Sequence, residues 1–307
     1  MQKHYMLPSY GKNGWLRLLF FFLFSNIVMI ASVLLFLLLV TTVSPTIEFI
    51  VDEADPRVIS ASPLVSFILE HIGLLIGFVA LAFLTSWLLK RPWYTVLTSR
   101  SRFDFKKIGW AFGVFFIMLA AIQFIDYALH KDAYTLNLDG VGTFILFAIL
   151  VVLLVPIQTT LEEFIYRGLG VQLVAKFTQQ PFIIALIMGG IFGALHFGNP
   201  EMSMGALWIG LDYVFAGFFL TYMSVKFNAT EYAIGAHAAN NIFLYIFITS
   251  DDVVGANLPS LFYVDMSDAT FYSFFIYSVL FNVLFYLLVR WHAHRHRQSL
   301  SQHDTYL

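Results

Sequence analysis

The chain has 307 residues, of which 59% are hydrophobic and 12% charged, with a mean hydropathy of +0.78; an ordinary soluble domain carries about 45–50% apolar and about 25% charged residues, so this composition belongs in a membrane. The net charge of −2 hides an uneven distribution along the chain, and no nucleic-acid partner is expected. The absence of cysteine excludes disulfides, thiol catalysis and thiolate metal sites, leaving His, Asp, Glu, Ser, Thr, Tyr and Lys to carry any chemistry.

Residues 15–43 are apolar for longer than the about 7–15 residues of a cleavable signal core and end in no small-residue cleavage site, which predicts a first membrane helix that is retained. Further runs near the ~20 residues that cross a ~30 Å hydrocarbon core are 64–89, 108–129, 141 onward, 182–197, 204–225, 232–249 and 271–289. The expectation is an all-α polytopic membrane protein, a bundle of eight transmembrane helices. Lys3, Lys12 and Arg17, then the cations between 90 and 107, Lys176, Lys226, and finally Arg290, Arg295 and Arg297 fall in alternate connections. By the positive-inside rule both termini are then cytoplasmic. The opposite connections are acidic, with Glu48, Asp52, Glu53 and Asp55 in one and Asp251, Asp252, Asp265 and Asp268 in another, and leave only Arg57 and Lys131 on that side. Trp15, Trp87, Trp93, Trp110 and Trp291 near the cytoplasmic ends fit an aromatic belt. The longest polar segments, 44–63 and 90–107, are loop-sized, so residues 1–307 form a single membrane domain. The His/Arg tail 290–297 reads as a stop-transfer flank that attracts anionic lipid rather than as a metal tract.

The chemistry centres on Glu162, Glu163 and Arg167, which follow the apolar run 144–157, and on His196, which closes the run 182–195. Intramembrane ionisable groups cost about 2.5–3.5 kcal/mol each on insertion scales, so three together point to function. With a turn near Gln179 and Pro181 opening the next helix, Glu162 and His196 each lie 17 residues from the turn, level with one another at ~25 Å. This requires the helix bearing Glu162 to continue past Arg167 to about Phe177. Glu163 and Arg167, four apart, can pair within the helix, while Glu162 points about 100° away toward the bundle interior. Phe192 sits one turn before His196, and His237 and Asn241 share a face of the seventh span, where Gly235, Ala236, Ala238 and Ala239 let neighbours approach closely.

These three groups, Glu162-Glu163-x-x-x-Arg167, Phe192-x-x-x-His196 and His237-x-x-x-Asn241, resemble in order and spacing the motifs of the CPBP family of intramembrane proteases, which includes CAAX prenyl endopeptidases and abortive-infection or bacteriocin-immunity type relatives. The resemblance covers residues 141–249, a protease-like core. It implies an eight-helix bundle that hydrolyses peptide bonds of a membrane-associated peptide or protein within the bilayer; separately, the lack of cysteine and the short loops point to a bacterial plasma membrane. It also implies Glu162 as general base, His196 as a partner in activating water, His237 and Asn241 as an oxyanion site, and Glu163 and Arg167 as support.

Independently of the family, a carboxylate shielded from water is a stronger base near neutral pH, and a histidine beside it can share the proton. No cofactor is favoured. A zinc alternative would use Glu162, His196 and His237 as a His₂Glu set, although the chain has no H-E-x-x-H helix. A non-catalytic immunity or regulatory scaffold and a proton-coupled transporter are the other function classes, the latter without the inverted repeats that would favour it. Asp212 and Glu70-His71 read as structural pairs or cavity-lining groups, and Gln123 and Asp126 as interfacial.

Overall fold

The computed structural model describes residues 4–44, 46–47, 61–137, 140–267 and 270–303, with backbone alone for 296–303. Lys3, Glu48, Asp52, Glu53, Asp55, Arg57, Asp268 and the side chain of Arg297, used above to orient the chain, lie outside what it describes.

The helices are α1 (Trp15–Val43), α2 (Pro63–Leu84), α3 (Phe105–Leu129), α4 (Val141–Glu163), α5 (Val171–Val174), α6 (Pro181–Leu195), α7 (Met202–Phe227), α8 (Glu231–Phe247) and α9 (Phe271–His303). Their ends follow local chemistry. Pro63 and Pro181 occupy first turns, where no amide hydrogen is needed, and α7 stops at Asn228, whose φ of 50° is left-handed.

Among the described residues, six helical segments are long and apolar enough to cross a membrane: Trp15–Val43, Pro63–Leu89, Phe105–Leu129, Val141–Val174, Met202–Phe227 and Phe271–Arg295. Two further segments expected to span, now α6 and α8, are shorter, at 15 and 17 residues. The reason for the modest hydrophobicity of α8 is its position. It packs between α3 and α4, and its residues 231–239 are all buried, so it is shielded from lipid by protein and can carry Glu231, His237, Asn240 and Asn241. A Cβ at Gly235 would stand 2.3 Å from the Ile108 carbonyl oxygen, so the α3–α8 approach depends on the missing side chain. Gly189 does the same for α6 against α7, where a Cβ would lie 2.7 Å from the Phe218 nitrogen.

The structure departs from an all-helical reading at one end of the bundle. Strands β1 (Tyr134–Leu136), β2 (Ile248–Thr249) and β3 (Phe262–Val264) form a sheet in the order β1-β3-β2, with Tyr134 opposite Val264 in an antiparallel pair and Ile248 opposite Phe262 in a parallel one. Asp251, Asp252 and Asp265 lie in the connections at this end. Gln123 and Asp126, expected near it, both bond the Tyr134 hydroxyl.

The opposite, basic end is closed by polar bonds. Gln172 in α5 donates to the carbonyls of Tyr5 (2.8 Å), Thr95 (3.2 Å) and Val96 (3.1 Å) and accepts from Arg91. Arg91 is 3% exposed and also donates to the Thr95 hydroxyl at 2.9 Å; burial lowers the guanidinium pKa to about 10. His4 and Tyr5 bond Val225 and Asn228, so the segment before α1 is folded against the bundle.

Candidate active site

Glu162 and Glu163 close α4, and the helix then widens into a π-helical turn over Phe164–Gly170 before α5 resumes the α-helix. Such turns are frequent at functional sites. The continuous segment reaches Val174, in agreement with the long helix predicted from the level of Glu162 and His196. Glu163 and Arg167 are both fully buried, with Glu163 Oε1 3.1 Å from the guanidinium. The guanidinium carbon also lies 4.3 Å from the Phe192 ring centroid, a cation–π contact that holds it where aligned hydrogen bonds are few. Glu163 Oε1 additionally accepts from His237 Nδ1 at 2.7 Å, a bond that sequence spacing did not disclose.

Glu162 faces the other way. Its Oε1 accepts from Gln158 Nε2 at 2.8 Å, and its Oε2 stands 3.8 Å from His237 Nε2, beyond direct hydrogen-bonding distance. His196 occupies the position just after α6. Its Nδ1 donates to the Phe192 carbonyl at 2.6 Å, which leaves Nε2 as an acceptor. The ring is held between Phe192 (centroids 4.2 Å apart) and Tyr213 (4.4 Å). The Tyr213 hydroxyl bonds Glu201 and takes a bond from Asn199 Nδ2 at 3.0 Å. On α8, Asn240 Nδ2 donates to Asn241 Oδ1 at 3.1 Å, which occupies the Asn241 oxygen and leaves its amide nitrogen as the donor.

Glu162, His196, His237 and Asn241 line one cavity of about 500 Å³. Phe192 lines it too, whereas Glu163 and Arg167 are packed behind it. Sequence reasoning missed Gln158, Tyr213 and Asn240. Gln158 precedes Glu162 by one helical turn and was discoverable from spacing; Tyr213 comes from a different helix, and no local pattern marks it. Asp212 lines the cavity, but His71 does not: its Nδ1 bonds the Phe67 carbonyl at 2.8 Å and its ring packs on Phe67 and Tyr245.

Among the described residues no group of three His, Cys, Asp or Glu side chains is placed to hold an ion. The Nδ1 atoms of His237 and His196 bond Glu163 and the Phe192 carbonyl, which leaves the two Nε2 atoms as the ring nitrogens a metal would use.

Fold and site together define a multi-pass membrane protein with a carboxylate, two histidines and an asparagine converging on a cavity inside its helix bundle. Residues 141–243 match the family described as type II CAAX prenyl endopeptidase Rce1-like. Over 301 residues the chain is 36% identical to YyaK of Bacillus subtilis (strain 168), an uncharacterized protein, covering 97% of this chain and 98% of that one. No solved structure matches. The chain belongs to the Rce1-like, CPBP family of membrane proteases.

Proposed function

We propose that the protein is an intramembrane endopeptidase in which Glu162 and His196 activate water and His237 and Asn241 stabilise the oxyanion. The observation that carries this reading is the convergence of these four side chains on one cavity. A water held between Glu162 and His196 Nε2 attacks the scissile carbonyl carbon and gives its proton to Glu162. The carbonyl oxygen becomes an alkoxide, met by the Asn241 amide and by His237, which in its doubly protonated form donates Nδ1–H to Glu163 and Nε2–H to the cavity. Collapse of the intermediate breaks the C–N bond as the proton passes from Glu162 to the leaving amine. No step runs through a metal.

The bundle is proposed to have eight transmembrane helices, the six long ones with α6 and α8, with both termini in the cytoplasm of a bacterial cell. Residues 141–249 form its protease core and a peptide or membrane protein is its substrate. The Bacillus relative supports the bacterial plasma membrane as the location.

The test uses purified protein in lipid nanodiscs and a peptide mixture read by mass spectrometry. Glu162→Gln keeps size and hydrogen bonding but cannot take the proton at neutral pH, so cleavage should fall by orders of magnitude with thermal stability close to the parent. His196→Ala should behave alike, whereas Asn241→Ala, losing one donor of two, should cost about 10²–10³ in turnover or less. The parent should remain active after strong chelation. Cleavage persisting in Glu162→Gln overturns the mechanism; activity lost on chelation and restored by zinc assigns the site to metal.

A further inference from the structure

Among the described residues the cavity is lined by three carboxylates, Glu162, Glu201 and Asp212, and by no lysine or arginine. Two of the three are accounted for. Glu162 belongs to the reacting group, and Glu201 accepts from the Tyr213 hydroxyl, from Asn199 at 3.0 Å and from the Val254 amide at 3.3 Å. Asp212 is left over. Ser278 hydrogen-bonds its carboxylate, while Oδ1 meets no donor and lies beneath the cavity wall rather than open to it.

Its setting points inward. Trp208 and Ala216, one helical turn to either side of Asp212 on α7, line the same cavity, so this face of the helix looks into it. Opposite, α9 presents Ser278 and Asn282. Asn282 spends its amide hydrogens on the Ser278 carbonyl (2.9 Å) and hydroxyl (3.4 Å), which leaves its own oxygen as a further acceptor. The surrounding wall is aromatic, with Trp208 edge-on to Tyr272 at 4.9 Å and 5.8 Å from Phe275. A carboxylate oxygen without a donor, acceptors beside it and π-faces around it make a receptor for a cation: the charge is neutralised, the acceptors are satisfied and the rings attract it.

We infer that Asp212, with Ser278, binds the basic side chain of a substrate peptide, a lysine or arginine held at a fixed distance from the bond cut at Glu162. This rests on the peptidase reading for its meaning but not for its test. An apolar residue at that position leaves the carboxylate without a donor, and an acidic one brings a second carboxyl against it; both are selected against.

The experiment separates binding from cleavage. Fluorescein-labelled apolar peptides, each carrying a single Lys, Arg, Met or Glu placed in turn at every position, are titrated onto full-length Glu162→Gln protein in nanodiscs, and the same peptides are digested by the parent. Lys and Arg peptides should bind at least about tenfold more tightly than Met peptides at one position, and Asp212→Asn in the Glu162→Gln background should abolish the difference. Asp212→Lys should transfer the preference to Glu. Thermal unfolding of each variant establishes that it is folded, and Ser278→Ala, expected to weaken the preference partially, serves if an Asp212 variant is not. Equal binding of all four peptides, or a Lys preference that survives Asp212→Asn, overturns the inference whether or not the parent cleaves. Selective binding without any cleavage sinks the peptidase reading and leaves the cation site standing.

Discussion

Glu162 and Glu163 are adjacent and chemically identical, and the helix gives them different surroundings by rotating one about 100° from the other. Glu162 lines the cavity, while Glu163 is sealed between Arg167 and His237. This division was legible in the sequence, because the spacing of Glu163 to Arg167 is local; the bond from His237 was not, because it joins residues 74 positions apart. Its presence changes what the double substitution should do. Glu163→Ala orphans a buried guanidinium and should destabilise by about 3–5 kcal/mol, and Glu163→Ala with Arg167→Ala should recover much of that. Cleavage should not recover with it, since His237 has still lost the acceptor that orients its ring. The measurement is thermal unfolding and turnover on the same samples. Recovery of both would reduce Glu163 to a counter-ion, and recovery of neither would mean the ion pair contributes nothing to stability.

At the scale of elements, apolar run length located α1 to its terminal residues and came close for most of the other helices, because each long run has a single stable way to satisfy its backbone in lipid. The π-turn Phe164–Gly170 and the three strands were not legible. The first depends on packing: a Cβ at Gly168 would come within 2.4 Å of Val96, and one at Gly170 within 2.3 Å of Met188, so neighbours crowd this turn from two sides. The strands are two or three residues long and exist only by pairing across loops. Beyond the π-turn, α5 exists to place Gln172, which ties the N-terminal segment and the 91–96 connection to the helix that carries the carboxylates. Gln172→Ala strips hydrogen bonds from a buried guanidinium and three carbonyls. It should cost about 1.5–3 kcal/mol for the charged bond alone, read as a lowered unfolding temperature in detergent, and an unchanged midpoint would show that the basic end is not held this way.

For the whole molecule, the distribution of charge predicts the orientation of the bundle. Reporters fused after Asn13 and after His303 should both report cytoplasmic, and one inserted in the 251–267 connection should report outside; an extracytoplasmic carboxyl end would rule out the eight-span arrangement. The cavity is lined by Ser250, Val254 and Ser260, which lie at the sheet-bearing end. If the reporters fall as expected, a peptide reaches Glu162 from the outer side. The length of α6 has a further consequence for the lipid itself. Its 15 residues rise only ~22 Å, against ~30 Å of hydrocarbon, and Phe182 and Leu186 are 60% and 55% exposed on its flank. If α6 spans the bilayer as proposed, acyl chains meeting that flank must compress, at fractions of a kcal/mol per Å. Bilayer thickness thereby becomes a control on the enzyme: turnover in nanodiscs should rise as acyl chains shorten toward the height of α6 and fall as they lengthen, and a flat response would mean that the surrounding helices bear the mismatch instead.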